Sequence, residues 1–346
     1  MLVDEVNCRA RRRGVRGPMS EQRPMKETLA RALGLTADQA RAALGAVRAV
    51  AEADGPPGVR AAQLLAVVST TLDLGADWLR APVATPAVVG AAFPDASARR
   101  ALVDALLIPA CIEGEVSAAG EAMVRSFAAA LGVRSPWVGV LGALRARRVF
   151  AVQRQLVRRA PDGRRVLQRT WQEEGYRAIF SVLWFLLGRH RDPALAARYR
   201  ALAGLPVGTL GRRFHDDLAG RNLAFPGEAG GLPERMIHHD LMHVVNEYDT
   251  EPAGECMLAG FYAGFAPGEW FTFIVVALAT FHLGLPVSPA IVTPARHAFD
   301  PARVLAAYFR GRRLRVDVMG PWDYWALMPW TIEAAREHLG IAEPAA

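Results

Sequence analysis

His239, His243 and Glu255 are the residues of this chain best placed to do chemistry. His239 and His243 are four residues apart, so on a helix both imidazoles project from one face. Asp240 stands three before His243 and shares the edge of that face. Glu255 follows twelve residues past His243, after a break at Pro252 and Gly254. Two imidazoles with one or two carboxylates form a borderline-hard site for a divalent metal, zinc first, with cobalt, manganese and iron also compatible. The setting favours this over chance. Met236, Ile237, Leu241, Met242, Val244 and Val245 make the helix largely apolar, and buried histidines and acids need partners.

The neighbouring candidates are weaker. His238 is one residue off the face of His239 and is expected to turn away. Glu247, one turn after His243, is an alternative to Asp240 as the nearby carboxylate. His282 sits in an apolar helix and reads as a hydrogen-bonded core histidine; His190 and His338 lie in polar surroundings.

The elements that must position these residues are helices. Pro252 predicts a helix start with Glu255 in its first turn. Met257, Leu258, Phe261, Tyr262 and Phe265 are too many for one narrow stripe, so this helix is expected to be buried on most sides. Gly260 and Gly264 form a small-residue strip beside Phe261. It allows either a close helix contact or the approach of a flat or chain-like ligand. Pro267-Gly268 ends that helix, and a second apolar helix is expected over Trp270–Leu283. A last helix is expected near residues 329–339.

Length and composition bound the rest. At 346 residues, with 52% hydrophobic residues, the chain is long enough for two domains with real cores. Three scattered cysteines, Cys8, Cys111 and Cys256, suggest no disulfide framework, which fits a reducing cytoplasm. The formal charge of +7 is carried by arginine, with Lys26 the one lysine. Arg9, Arg11, Arg12, Arg13 and Arg16 open the chain, but no apolar segment follows as a signal peptide requires. Residues 1–25 are expected to be a disordered basic tail. The longest apolar runs, Ile179–Leu187 and Trp270–Phe281, fall short of the ~20 residues of a spanning helix. The expectation is a cytoplasmic protein, soluble or peripheral on the inner membrane face.

Residues 26–135 read as all helical, with a capping-box pattern at Thr36 and Gln39. Two acid-glycine pairs, Asp54-Gly55 and Glu113-Gly114, lie 59 residues apart, each after an apolar helix. The second runs on through Glu115 to Glu121 at a helix start. Over residues 38–134 this pattern resembles the helical tellurite-resistance B-type domain, a resemblance that implies clustered acids able to hold a cation. Here Ala62 stands where the second copy has Glu121, so the cluster is incomplete. The alternative use of the acids is as helix caps and turns.

Residues 136–198 read as a basic helical bridge. Nine arginines and one acid, Asp162, lie between Arg145 and Arg169, and Pro161-Asp162-Gly163 marks a turn. The bridge is either a solvated face or a surface for anionic membrane lipid. No aromatic residues interleave with the arginines, which argues against nucleic acid as a partner.

From about residue 199 onward the chain resembles the coenzyme Q (ubiquinone) biosynthesis protein 4 family. Three pieces carry the resemblance: Leu205-Pro-Val-Gly-Thr-Leu-Gly-Arg-Arg-Phe-His215; His239-Asp240-x-x-His243 with Glu255 at the family's gap; and Trp325 through the final helix to Ile341. Residues 226–236 depart from the family in being short and glycine-rich. The resemblance implies an all-α fold holding a divalent metal on His239, Asp240, His243 and Glu255. It also implies a prenylated aromatic lipid, bound near Gly260, Phe261 and Gly264, and a role in C1 oxidative decarboxylation of a polyprenyl hydroxybenzoate at the membrane surface. Other quinone-biosynthesis proteins would be partners. The whole chain is thus expected to be all-α, two helical domains (26–135 and 199–346) joined by the bridge.

Two other functions fit parts of the pattern. The same site and apolar helices suit a non-catalytic lipid-binding scaffold. His215, His239-Asp240 and Asp300 echo the order of a His-Asp metal phosphohydrolase, which leaves His243 and Glu255 without a role.

Overall fold

The computed structural model describes residues 33–75, 82–159, 191–266, 270–287 and 294–341, the side chain of Arg235 aside. The basic tail, the Pro161-Asp162-Gly163 turn, the run Ile179–Leu187, His190 and the Pro267-Gly268 break lie outside these residues.

Among the described residues the protein is all-α. Pairing of extended backbone is limited there to isolated bridges, Thr209 with Thr331 and Leu283 with Arg296. No described helix is long and apolar enough to cross a membrane.

The N-terminal helices are α1 (Ala37–Ala51), α2 (Val59–Thr71), α3 (Pro86–Ala92), α4 (Ala96–Ala105), α5 (Leu107–Cys111), α6 (Ala118–Ala130), α7 (Pro136–Arg145) and α8 (Val149–Arg159). Their starts follow from local chemistry. The Thr36 hydroxyl accepts from Gln39 N–H while the Gln39 side chain accepts from Thr36 N–H, the reciprocal capping box. Asp95, Ser117 and Ser135 cap α4, α6 and α7, each side chain accepting from a first-turn backbone N–H.

The acid-glycine repeat also serves caps. Glycine at position 58 gives α2 no capping side chain, and Glu113 of the second loop supplies one, its Oε1 accepting from Ala61 N–H at 2.8 Å. Asp54 of the first loop in turn accepts from the hydroxyl of Ser117, the cap of α6. The second loop thus caps the helix after the first, and the first loop holds the cap of the helix after the second. Glu121 is spoken for as well, paired with Arg125 and Arg145 at 2.7 Å each.

The C-terminal half contains α9 (Pro193–Arg200), α10 (Leu210–Gly220), α11 (His238–Asn246), α12 (Pro252–Phe265), α13 (Phe271–Ala277), α14 (Pro301–Arg312) and α15 (Ile332–Leu339). The expected apolar helix after Trp270 is present, but its last turn, Leu278–His282, widens to π geometry.

Two apolar cores form. The first joins Leu44, Leu65, Leu106, Phe127, Trp137 and their neighbours to Cys256, Phe271, Ile274, Phe281 and Val304, so it draws on both halves of the sequence. The second, around Tyr199, Phe214, Leu241, Met242, Leu258, Phe261 and Leu339, carries the histidine helix. Polar contacts reinforce the first core where the halves meet. Arg147 donates to Leu283 O and Gly284 O, and Arg296 donates to Gly114 O. His282, fully buried, places Nε2 2.8 Å from Ile112 O, while its Nδ1 accepts from Phe299 N–H.

Candidate metal centre

Helix α11 is entered directly from a 3₁₀ turn, Glu234–Met236, and Glu234 fixes that turn. Its Oε1 accepts from Tyr324 Oη at 2.8 Å and from Trp325 Nε1 at 3.0 Å; Tyr324 Oη is also 2.9 Å from Tyr199 Oη. Ile237, Leu241, Met242 and Val245 then bury one face of α11 in the second core, which turns His239 and His243 to the other. Five residues separate α11 from α12, and Pro252 starts α12 as expected. So short a connection brings Glu255, in the first turn of α12, back over the histidines.

Three side chains converge. His243 Nε2 is 3.2 Å from Glu255 Oε1, and His239 Nε2 is 3.4 Å from Glu255 Oε2. One potential ligand atom from each of the three residues lies within 4.8 Å of the other two. His243 is 2% exposed and His239 41%, so the group has one buried wall and one wall toward solvent.

The hydrogen bonds behind the histidines say what faces inward. His243 Nδ1 is 3.2 Å from Tyr248 O. A carbonyl can only accept, so Nδ1 carries a hydrogen, and Nε2 is the ring atom turned toward Glu255. His243 Nε2 is buried with no hydrogen-bond partner. A buried nitrogen this close to a carboxylate calls for a proton or a metal ion between them. A divalent ion fits that requirement, with nitrogen and oxygen donors of the right type.

Without an ion, protons supply the charge. Burial works against a cationic His239, but hydrogen bonds and attraction from Asp240 and Glu255 prevail and raise its pKa to about 10. Burial likewise opposes ionised Glu255, yet His239 and His243 hold its pKa down at about 2.

Asp240 is expected from the sequence as a fourth ligand or as an orienting group. It stands apart from the converging three: Oδ1 lies 3.4 Å from His239 Nδ1, behind the imidazole, where it orients the ring. Glu247 points away and pairs with Arg336 at 3.1 Å. His238 is outside the convergent group: its ring meets Tyr262 edge-on, centroids 6.1 Å apart, and its carbonyl accepts from Tyr262 Oη at 3.3 Å.

The residues of the phosphohydrolase pattern are engaged elsewhere. Asp300 caps α14, accepting from Ala302 and Arg303 N–H. His215 pairs with Asp216 at 3.0 Å and stacks on Phe225. Neither joins the convergent group.

The small-residue strip of α12 makes a close helix contact, one of the two uses expected from the sequence. A Cβ at Gly260 would lie 2.5 Å from Val304 O, and one at Gly264 would strike Tyr308 O, both on α14. Phe261 is fully buried.

The chain was compared with known families and curated proteins. No family model matches it, and no curated protein matches it. The likeness to the coenzyme Q family therefore rests on the residues quoted above.

Sequence reasoning overlooked Tyr248, Arg310 and Arg336, which surround the end of α11. The available signal was small: Tyr248 is the fifth residue after His243, and nothing local marks the two arginines.

Proposed function

We propose that this protein is a divalent-metal-dependent enzyme of ubiquinone or related prenyl-quinone biosynthesis. Its reaction would be the C1 oxidative decarboxylation of a prenylated hydroxybenzoate. In that reaction the bond from ring C1 to the carboxyl carbon breaks, carbon dioxide leaves, and a hydroxyl forms at C1. A two-electron oxidant supplies the oxygen atom. The observation that carries the reading is the convergence of His239, His243 and Glu255 about the buried Nε2 of His243, at the offsets that resemble the coenzyme Q family's signature.

A zinc, cobalt, manganese or iron ion held by these three residues would supply Lewis acidity toward the oxygens of the ring substrate. The chain's own groups prepare the site. Tyr248 O fixes His243 with its lone pair inward, and Asp240 does the same for His239. Glu255 bridges the histidines from a second helix, so both helices must be in register for the site to exist. The exposed side of His239 leaves an approach for substrate oxygens.

The lipid tail requires access from a membrane, and we place the protein at an anionic membrane surface. Helix α8 supports this. Phe150 is 87% exposed and Val157 70%, among the exposed arginines Arg147, Arg154 and Arg158. No acid lies between Arg145 and Arg159. Such a face suits anionic lipid.

The test is turnover. Purified protein loaded with one defined metal, given a prenylated 4-hydroxybenzoate and an oxidant, should release carbon dioxide and form the C1-hydroxylated ring. Metal and lipid binding without turnover under any metal would favour the scaffold instead.

A further inference from the structure

Two arginines, Arg310 on α14 and Arg336 on α15, are buried, at 9% and 3% exposure. Burying a guanidinium is unfavourable unless specific acceptors compensate. Both reach the same place, the C-terminal end of α11. Arg336 Nε donates to Val245 O at 2.7 Å, and Arg310 Nη1 donates to Asn246 O at 3.4 Å. These carbonyls belong to the last turn of α11, where helix carbonyls lack intrahelical donors and the dipole is negative.

The turn that follows is unusual. Glu247 adopts φ +56° and ψ 36°, the left-handed region, as a residue other than glycine. Its carboxylate pairs with Arg336 Nη2 at 3.1 Å. That contact gives a reason for glutamate where glycine would be easier. The left-handed turn folds the chain back so that Tyr248 meets His243 twice. Tyr248 N–H donates to His243 O at 3.0 Å, and Tyr248 O accepts from the His243 ring at 3.2 Å. The Arg310 guanidinium also lies over the Tyr248 ring, 5.9 Å from its centroid.

We infer that Arg336, assisted by Arg310, is a positioning residue for His243: it holds the left-handed turn at Glu247 so that Tyr248 O fixes the imidazole with Nδ1 protonated and Nε2 free to bind metal. The role of the tautomer in metal binding rests on the proposed metal site. The link from Arg336 to the tautomer does not, and it is measurable without metal. The contacts of the two arginines described above are with the end of α11, Glu247 and Tyr248, so the effect passes through the turn.

The experiment uses the full chain labelled with ¹⁵N-histidine, metal-free, at pH 8. Two-bond ¹H–¹⁵N correlation reads each histidine's tautomer, and His243→Ala identifies the His243 signals. His282 is the internal control, since its bonds to Ile112 and Phe299 require the opposite tautomer, protonated on Nε2. In the wild type His243 should be the Nδ1–H form. In Arg336→Gln it should become a mixture while His282 is unchanged. Cobalt(II) added to the same samples should show an altered ligand-field spectrum and binding weaker by about tenfold or more.

An unaltered His243 tautomer and cobalt spectrum in both Arg336→Gln and Arg310→Gln overturns the inference. If both histidine signals move, Arg336→Gln has unfolded, and Glu247→Gln decides, because it removes only the charged partner from the turn. An unchanged His243 there also overturns it. If the wild type binds no cobalt but its tautomer responds to Arg336→Gln, the metal site fails and the positioning role stands.

Discussion

Glu255 and His243 stand on different helices, yet Oε1 and Nε2 are 3.2 Å apart. A five-residue connection, closed by the left-handed turn at Glu247, produces that approach. The predictions below follow from it and from the packing that supports it.

Removing His243 should empty the site. His243→Ala protein, equilibrated with zinc and desalted, should retain only trace metal by mass spectrometry. His215→Ala and Asp300→Ala should retain the wild-type amount. Loss with His215→Ala but not with His243→Ala would hand the chain to the phosphohydrolase reading.

Metal binding should release a proton from His239. Its pKa is raised toward about 10, so at neutral pH the metal-free imidazole is cationic and must deprotonate to become a ligand. Apparent affinity should therefore rise about tenfold per pH unit from pH 7 to 9, by chelator competition. For the metal-free protein the sign is opposite. The stabilisation from charged His239 is complete below the unfolded value near 6.5 and is lost as pH rises through about 10. Affinity independent of pH would show that His239 is not displaced by the ion.

His282 should make the junction between the two halves acid-sensitive. Burial first, with Arg60 and His297 nearby, lowers its pKa to about 4 against the bond to Ile112 O. A depressed histidine contributes stability that is full above the unfolded value near 6.5 and is lost as pH falls toward 4. About 2 kcal/mol should be lost by pH 5 from this group, by urea unfolding. His282→Gln, which keeps a donor for Ile112 O, should be less stable at pH 7 but should show a smaller loss at pH 5.

Gly260→Ala should destabilise the fold by about 1–3 kcal/mol through overpacking against the Val304 carbonyl. Thermal unfolding measures it. A stable variant that loses bound lipid would restore the strip as a ligand surface.

Vesicles containing anionic phosphatidylglycerol should bind the protein, and added salt should weaken the binding. Phe150→Asp should weaken it further by placing an acid among the arginines of α8. Equal indifference to anionic and neutral vesicles would leave α8 a solvated face.

The sequence alone determined the all-α class and brought forward His239, His243 and Glu255, with Asp240 beside them, as candidate ligands. A period of 3.6 places His239 and His243 on one face whatever surrounds them, and Pro252 sets Glu255 in a first turn, because both depend on local backbone geometry. The capping box at Thr36 and Gln39 was legible for the same reason. Tertiary structure decided what local rules leave open. Asp240 falls behind His239 because α11 is rotated by the burial of Leu241 and Met242. Gly260 and Gly264 meet α14 because Val304 and Tyr308, each 44 residues further along the chain, pack there. Glu113 caps α2 from 52 residues away, and Arg336 reaches α11 from 91. Contacts between segments so far apart depend on which apolar faces find each other, and that is a property of the whole packed chain.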